Sequence, residues 1–304
     1  MKLDVLAQPN NFACLDAEDS SLEKSAFAVL PVSFEGTVSY GKGASKGPAA
    51  ILHASRFLEL YDEEFQNEPY RKGICTLAPL DFADSTSPEK VCEQVRGVVS
   101  ALLQKGRFPL VLGGEHSISA GTVKAFSEKF GNDLSVLHLD AHADLRDEYE
   151  FSRFSHACSL RRMRDSCKST VSMGVRSLSA EEADFIKREK IPVFFKKQIS
   201  DGAAGMKAVA KEILPLLKKN VFVSIDFDAF DPAEMPAVGT PEPNGLHFAD
   251  AVLLLSEVAK KKRIVGADLV ELAPIAGFEA PNFFAARLAY KIFALAGGYP
   301  KRIN

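Results

Sequence analysis

Three clusters of polar side chains could perform chemistry in this sequence, and each directly follows a short apolar run. The clusters read Gly-Gly-Glu-His-Ser at 113–117, Asp-Ala-His-Ala-Asp at 140–144 and Asp-Phe-Asp at 226–228. Imidazoles and carboxylates are side chains that hold divalent metal ions. The clusters therefore supply six candidate metal ligands, which are His116, Asp140, His142, Asp144, Asp226 and Asp228.

The four aspartates among these candidates indicate that cations are bound. Side chains of an extended chain alternate between faces, so Asp140, His142 and Asp144 can point the same way, as can Asp226 and Asp228. Carboxylates in one small pocket raise one another's pKa unless cations neutralise them. Six ligands are too many for one ion and a substrate, but they suit two ions ~3.5–4 Å apart. The oxygen-rich, thiolate-free set favours Mn²⁺, although imidazole also binds zinc, nickel or cobalt.

Each cluster alone has an ordinary structural interpretation. An isolated Asp-x-Asp is more often a turn or a solvated pair than a metal site. His138 shares the parity of Asp140 but lies further back in the apolar run, so we interpret it as a core residue and leave it out of the ligand set. Three clusters in one chain, each closing a predicted strand, are far more specific than any one of them.

The elements that must position these clusters alternate between strands and helices, which predicts one α/β domain spanning residues 1–304. Runs such as VFVSI and LSVLHL are apolar on both faces, as expected of strands covered by helices on both sides. We expect a three-layer αβα fold with a parallel sheet of about eight strands, whose active site lies at the carboxyl ends of the strands. The predicted strands are Ala26–Pro31, Cys75–Leu80, Phe108–Leu112, Leu134–Leu139, Thr170–Gly174, Val193–Phe195, Val221–Ile225 and Arg263–Leu269. The predicted helices are Gly47–Leu60, Ser87–Gln104, Ala120–Phe130, Ala180–Glu189, Ala204–Leu217, Phe248–Lys260 and Pro281–Ala296.

The composition narrows the class of protein. The net charge is −3 and the basic residues are dispersed, so neither nucleic acid nor an anionic membrane is an expected partner. No apolar stretch approaches the ~20 residues that cross a bilayer, and the first residues do not read as a signal peptide. The five scattered cysteines fit free thiols in a reducing cytoplasm.

The three clusters, in this order and at these separations, resemble the signatures of the ureohydrolase (arginase-like) family over nearly the whole chain. Four further segments resemble other family motifs. These segments are Glu35–Tyr40, Gly47–Ile51, Gly239–Pro243 and Asp268–Glu271. The resemblance implies the arginase-like fold, two Mn²⁺ ions per chain and a homo-oligomer, either a trimer or a hexamer.

The resemblance also implies a role for each site residue. One ion would be bound by His116, Asp140, Asp144 and Asp228. The other would be bound by His142, Asp140, Asp226 and Asp228, so that Asp140 and Asp228 are shared. A metal-bridging hydroxide would attack a guanidinium that Glu271 holds by a salt bridge, and Thr240 would line the pocket. Asp144 would pass a proton to the departing amine, and His156 would exchange protons with solvent at the pocket mouth and contact the substrate.

The loop over residues 145–156 is most similar to agmatinases within the family, which implies hydrolysis of agmatine to putrescine and urea, a step of polyamine biosynthesis. The loop is acidic and aromatic, which suits a distal ammonium group. Arg146 and Arg153 would favour a carboxylate-bearing substrate if either pointed inward. Phe151 and Asn244 stand where the family often has glycine.

Three alternatives remain open at this stage. The first is a hydrolase of guanidinobutyrate, arginine or formiminoglutamate with the same mechanism. The second, from another class, is a single-zinc amide hydrolase of the deacetylase type. The third is a scaffold that has lost catalysis, although no ligand is missing here.

Overall fold

The computed structural model describes residues 3–83, 85–200 and 202–297. Within them, nine strands form one sheet in which every pairing between strands is parallel. The strands are β1 (Phe27–Ser33), β2 (Ile74–Thr76), β3 (Leu80–Asp81), β4 (Phe108–Gly113), β5 (Leu134–Leu139), β6 (Thr170–Met173), β7 (Val193–Phe194), β8 (Asn220–Asp226) and β9 (Arg263–Val270). Their order is β2-β1-β4-β9-β8-β5-β6-β7, and β3 also pairs with β1.

Helices cover both faces of this sheet, as its apolar strands require. Those described are α1 (Ala17–Ser20), α2 (Gly47–Ser55), α3 (Pro88–Gln104), α4 (Ser119–Phe130), α5 (Ser159–Ser166), α6 (Ala180–Glu189), α7 (Gly202–Ile213), α8 (Phe248–Lys261) and α9 (Ala280–Ala296). On one face α2, α7, α8 and α9 share an apolar core with the sheet; on the other α3, α4, α5 and α6 do so. The three-layer αβα prediction is therefore confirmed.

The differences from the predicted elements have local causes. The predicted strand Cys75–Leu80 is two short strands, because Pro79 lacks the N–H group that a continuous ladder needs. That split accounts for nine strands where about eight were expected. Helix α2 ends at Ser55, not Leu60. Helix α5 was not predicted, since it is short and buries only two large apolar side chains, Leu160 and Met163, among several charged residues.

Of the four central strands, β4, β8 and β5 lead into the three polar clusters, and β9 leads into Glu271. Their carboxyl ends lie at one edge of the sheet, so segments far apart in sequence meet there. None of the helices in the described ranges is long and apolar enough to cross a membrane. The five cysteines, all within those ranges, form no disulfide.

Candidate functional site

His116 lies at the centre of the first group of candidate metal ligands. Its Nδ1 atom is 3.1 Å from Asp140 Oδ2, 3.1 Å from Asp226 Oδ2 and 3.4 Å from Asp144 Oδ2. All four residues are buried. One imidazole nitrogen thus faces three carboxylate oxygens, and His116, Asp140 and Asp144, together with His138, offer ligand atoms close enough to one another to hold a single cation.

His142 forms a second group beside the first. Its Nδ1 atom is 2.8 Å from Asp228 Oδ2 and 3.7 Å from Asp140 Oδ1. Asp140 belongs to both groups, as the resemblance implied. Asp228, however, contacts His142 and not His116, whereas Asp226 contacts His116. The expected role of Asp228 as a ligand shared by both ions stays a prediction; in this geometry its direct contact is with His142.

The reason lies in the backbone after β8. Asp226 is the last residue of the strand, and the next three residues, Phe227–Ala229, form a single turn of 3₁₀ helix. Asp226 Oδ1 accepts a hydrogen bond from the Asp228 backbone N–H at 2.9 Å. Strand alternation therefore ends at Asp226, and the turn carries Asp228 towards the other histidine.

Three buried atoms indicate that cations belong here. His116 Nδ1, His138 Nε2 and Asp140 Oδ2 each lack a hydrogen bond of acceptable geometry within the described part of the chain. Buried polar atoms normally have a hydrogen-bond partner, so these three atoms are placed to bind an ion instead. Their residue types, imidazole and carboxylate, fit a divalent ion.

The charges support the same conclusion. Burial and repulsion from Asp228 and Asp140 hold the pKa of Asp226 well above its usual value. Burial lowers the pKa of His142, but the charges of Asp228 and Asp140 outweigh burial and raise it to about 12. Without metal the cluster would hold protons in place of cations.

A row of buried polar residues lies one step behind the ligands in the sheet. Asp268 pairs in register with Ser224, Ser224 with His138 and His138 with Ser172. Ser224 Oγ lies 3.1 Å from His116 Nε2, and Ser172 Oγ lies 3.0 Å from His138 Nδ1. His138 is fully buried, as predicted, but its Nε2 atom is 3.1 Å from Asp140 Oδ2 and its ring stacks on His116. It therefore belongs to the polar site and not to an apolar core.

Glu271 directly follows β9 with its side chain turned into the site. It accepts a hydrogen bond from the His116 backbone N–H at 2.6 Å. Burial and the neighbouring carboxylate of Glu115 raise the pKa of Glu271 well above its usual value. Glu271 and Asp144 both have left-handed backbones, with φ of 68° and 52°. Such conformations are unfavourable for residues other than glycine and tend to occur at functional sites.

A cleft of about 260 Å³ opens above both ligand groups. Glu271 and five of the six candidate ligands lie in its floor, and Thr240 and His156 line its walls. His156 is held at the mouth by Thr37, whose Oγ1 accepts a hydrogen bond from the His156 backbone N–H at 2.9 Å. The structure thus brings together every predicted site residue.

The mouth of the cleft differs from the expectation for residues 145–156. Arg146 and Tyr149 line it, with the guanidinium 5.2 Å from the ring centre, but Glu148 and Glu150 do not. The acidic group there is Glu182 of α6, and its carboxylate is 4.0 Å from Arg146. The predicted acidity of the mouth therefore comes from a different segment.

Three other residues named in the sequence analysis lie away from the floor of the cleft or fit their backbone conformation. Arg153 pairs with Asp147 on the surface at 3.3 Å. Phe151 has φ of 64° at the tip of a tight turn, and its side chain is 100% exposed, so it does not narrow the cleft. Asn244 has φ of 62°, a left-handed conformation that asparagine tolerates better than most residues, so it can stand in place of glycine.

Comparison with known proteins identifies the family of this chain. Residues 25–294 match the arginase family. The chain belongs to the arginase family. The N(1)-aminopropylagmatine ureohydrolase of Synechocystis sp. is 37% identical over 91% of this chain and 91% of its own length. The agmatinase of Bacillus anthracis is 34% identical over 84% and 86%, respectively.

Solved structures of the arginase family share the fold. The agmatine ureohydrolase of Thermoplasma volcanium superposes with a TM-score of 0.84, at 31% identity over 93% of this chain and 94% of that one. The arginase of Bacillus cereus gives a TM-score of 0.76 at 27% identity, over 89% and 98%. Family membership shows an enzyme that hydrolyses carbon–nitrogen bonds of linear amidines, which removes the deacetylase-type alternative and the non-catalytic scaffold.

Several polar residues at the site were not predicted. Ser224 has no chemical signal in an apolar strand, and Thr37 and Asp268 lie in motifs that suggested no role for them. Glu115 precedes His116 in the Gly-Gly-Glu-His motif, but only the structure shows that it is buried.

Proposed function

We propose that this chain hydrolyses the guanidinium group of agmatine, with two Mn²⁺ ions, to give urea and putrescine. The observation that carries the proposal is the position of Glu271, a buried carboxylate in the floor of the cleft beside two converging groups of metal ligands. A cation-binding carboxylate next to a two-metal site is what attack on a guanidinium needs.

One ion would be held by His116, Asp140, Asp144 and Asp226, and the other by Asp140, His142 and Asp228. The oxygen-rich donor set suits Mn²⁺. When bound, the ions lower the pKa of a water molecule so that it can attack at neutral pH. Asp140 contacts both histidines and would be the residue common to the two ions.

Glu271 would bind and orient the guanidinium. Its two oxygens can accept hydrogen bonds from two N–H groups of a planar cation. The cation would also offset the burial and repulsion that raise the pKa of Glu271 in the free protein. Thr240, in the wall of the cleft, would contact the substrate and help to exclude water.

Asp144 and His156 would move the protons. Water oxygen bonds to the guanidinium carbon, the bond from that carbon to the alkylamine nitrogen breaks, and the amine must take up a proton. Asp144 accepts a hydrogen bond from Ser159 through Oδ2 at 2.7 Å, which fixes its carboxylate in the cleft. His156, at the mouth, would exchange the proton with solvent.

A second candidate substrate is N(1)-aminopropylagmatine. Relatives with that name are 34–37% identical to this chain. The open mouth, lined by Tyr149 and Glu182, offers aromatic and acidic contacts that would suit a second amine. Arg146 is the one residue there that would favour a carboxylate, and its guanidinium faces Tyr149 and Glu182 instead.

The test is a substrate panel with Mn²⁺-loaded protein. Agmatine, N(1)-aminopropylagmatine, arginine and guanidinobutyrate are read as urea, and formiminoglutamate is read as formamide. We expect kcat/KM to be highest for agmatine. Preference for the aminopropyl compound would select the second candidate, and preference for a carboxylate-bearing compound would refute both. We also propose a cytoplasmic homo-oligomer, a trimer or a hexamer, which light scattering can measure.

A further inference from the structure

Glu115 is a fully buried carboxylate of the Gly-Gly-Glu-His motif that the proposed reaction does not use. It accepts three hydrogen bonds. The Thr37 backbone N–H donates to Oε2 at 2.6 Å, the Thr37 hydroxyl to Oε1 at 2.8 Å and the Ser117 hydroxyl to Oε1 at 2.5 Å. Glu115 therefore clamps Thr37 at two points, although the two residues are 78 positions apart.

The Thr37 hydroxyl also faces His156. Its oxygen accepts a hydrogen bond from the His156 backbone N–H at 2.9 Å and lies 3.3 Å from His156 Nδ1. A hydroxyl has one proton and two acceptor lone pairs. Because the proton points to Glu115, only a lone pair remains for Nδ1. A favourable contact then requires that Nδ1 carries the hydrogen.

We propose that Glu115 and Thr37 are positioning residues that hold neutral His156 in the tautomer protonated at Nδ1. The second ring nitrogen, Nε2, then has a free lone pair. Its nearest hydrogen-bonding group in the described residues is the Ser39 hydroxyl, at 3.5 Å on the exposed side. Nε2 is thus the atom that takes up and releases a proton. The shuttle role rests on the proposed function, but the tautomer does not.

Other contacts of His156 are compatible with this assignment. Ser155 Oγ lies 3.4 Å from Nδ1 and can accept from the same N–H group. The Tyr149 ring meets the imidazole edge-on, with centroids 6.0 Å apart, and supplies no proton to either nitrogen. Glu115 also precedes His116, so a single short segment fixes both a candidate metal ligand and the group at the mouth.

The test is nuclear magnetic resonance of ¹⁵N-histidine in the full-length protein. Diamagnetic Zn²⁺ replaces Mn²⁺, the measurement is repeated without metal, and the pH is about 9, where an ordinary histidine is neutral. The chain has six histidines, and the spectrum of His156→Gln identifies the His156 signals. We expect Nδ1 to be the protonated nitrogen and Nε2 the bare one.

Three variants separate tautomer control from general damage. Thr37→Val removes the hydroxyl and should shift His156 to the Nε2-protonated form that free histidine prefers, whereas Thr37→Ser keeps the hydroxyl and should keep the Nδ1 form. Glu115→Gln should also shift it, because the amide nitrogen can donate to Thr37 and free that hydroxyl to donate to Nδ1. If Thr37→Val does not fold, Glu115→Gln and Thr37→Ser still decide the question.

Two results would overturn the proposal. One is wild-type His156 protonated at Nε2 when neutral. The other is an unchanged tautomer in folded Thr37→Val or Glu115→Gln. If agmatine is turned over, Thr37→Val should also lower kcat about 10-fold or more with little change in KM, and Thr37→Ser should restore it. If no substrate is turned over, the spectra still test the tautomer separately from the proposed function.

Discussion

Replacing Ser224 with alanine should weaken the binding of one of the two metal ions. Ser224 Oγ lies 3.1 Å from His116 Nε2, while His116 Nδ1 faces three carboxylates. When Nδ1 binds a cation, Nε2 carries the hydrogen and needs an acceptor. Ser224 is that acceptor, and it is fully buried, so water cannot readily take its place.

The expected size of the effect follows from one lost hydrogen bond. Leaving a buried donor unsatisfied costs about 1–3 kcal/mol. The cost falls mainly on the metal-bound state, because the metal-free variant can release the proton at Nε2 and keep the one at Nδ1 that faces the carboxylates. Since about 1.4 kcal/mol is a factor of ten in Kd, we expect affinity at that site to fall about 10- to 100-fold, as is typical for partners of ligating histidines.

The assay is calorimetric titration of Mn²⁺ into chelator-treated protein. One of two binding events should weaken in Ser224→Ala. Ser172→Ala is a matched control, because Ser172 Oγ contacts His138, a histidine outside the proposed ligand set, at 3.0 Å. Wild-type affinity for both ions in Ser224→Ala would refute the reasoning. An equal loss in Ser172→Ala would instead make His138 a ligand.

Three further predictions concern other parts of the site. Glu271→Gln removes the charge facing the guanidinium and should lower kcat/KM for agmatine by about 100-fold or more, which corresponds to about 2.7 kcal/mol of transition-state stabilisation. Two ions should still bind to this variant. Unchanged kinetics would exclude the proposed role of Glu271. Phe151→Gly should raise Tm slightly, because φ of 64° costs a residue with a side chain about 1 kcal/mol. Phe151→Ala keeps that cost and should not raise Tm. Equal Tm values for the two variants would show that the backbone is not strained there. Metal-free protein should lose stability to urea as pH rises from about 6.5. The reason is that the pKa of His142 is raised to about 12 in the folded state, so the folded protein binds this proton more tightly than the unfolded chain does. A gain of stability from pH 7 to 9 would contradict this.

The fold could be predicted because its strands are apolar on both faces and its helices alternate with them. Strand β5 and the middle of β8 matched expectation, since nothing interrupts their apolar runs. Pro79, in contrast, divides a predicted strand, and α5 carries too few apolar residues to reveal its period. Local sequence therefore predicts a strand correctly wherever its buried apolar run is uninterrupted.

The candidate site was predictable in its members but not in its arrangement. Strand ends bring the six candidate ligands to one edge, but the 3₁₀ turn after Asp226, which carries Asp228 to His142, could not be predicted from strand alternation. Glu182, which supplies the acidic group at the mouth, comes from a helix that no motif marked. The contact of Glu115 with Thr37 joins residues far apart in sequence, so only the folded chain shows it.

In the proposed reaction, two metal ions act together on a guanidinium. The most direct measurement is the rate of urea release from agmatine as Mn²⁺ is added to metal-free protein, with bound metal counted per chain. We predict that activity rises to a plateau at two ions per chain. A plateau at one ion per chain, or the absence of urea at full occupancy, would contradict the two-metal mechanism.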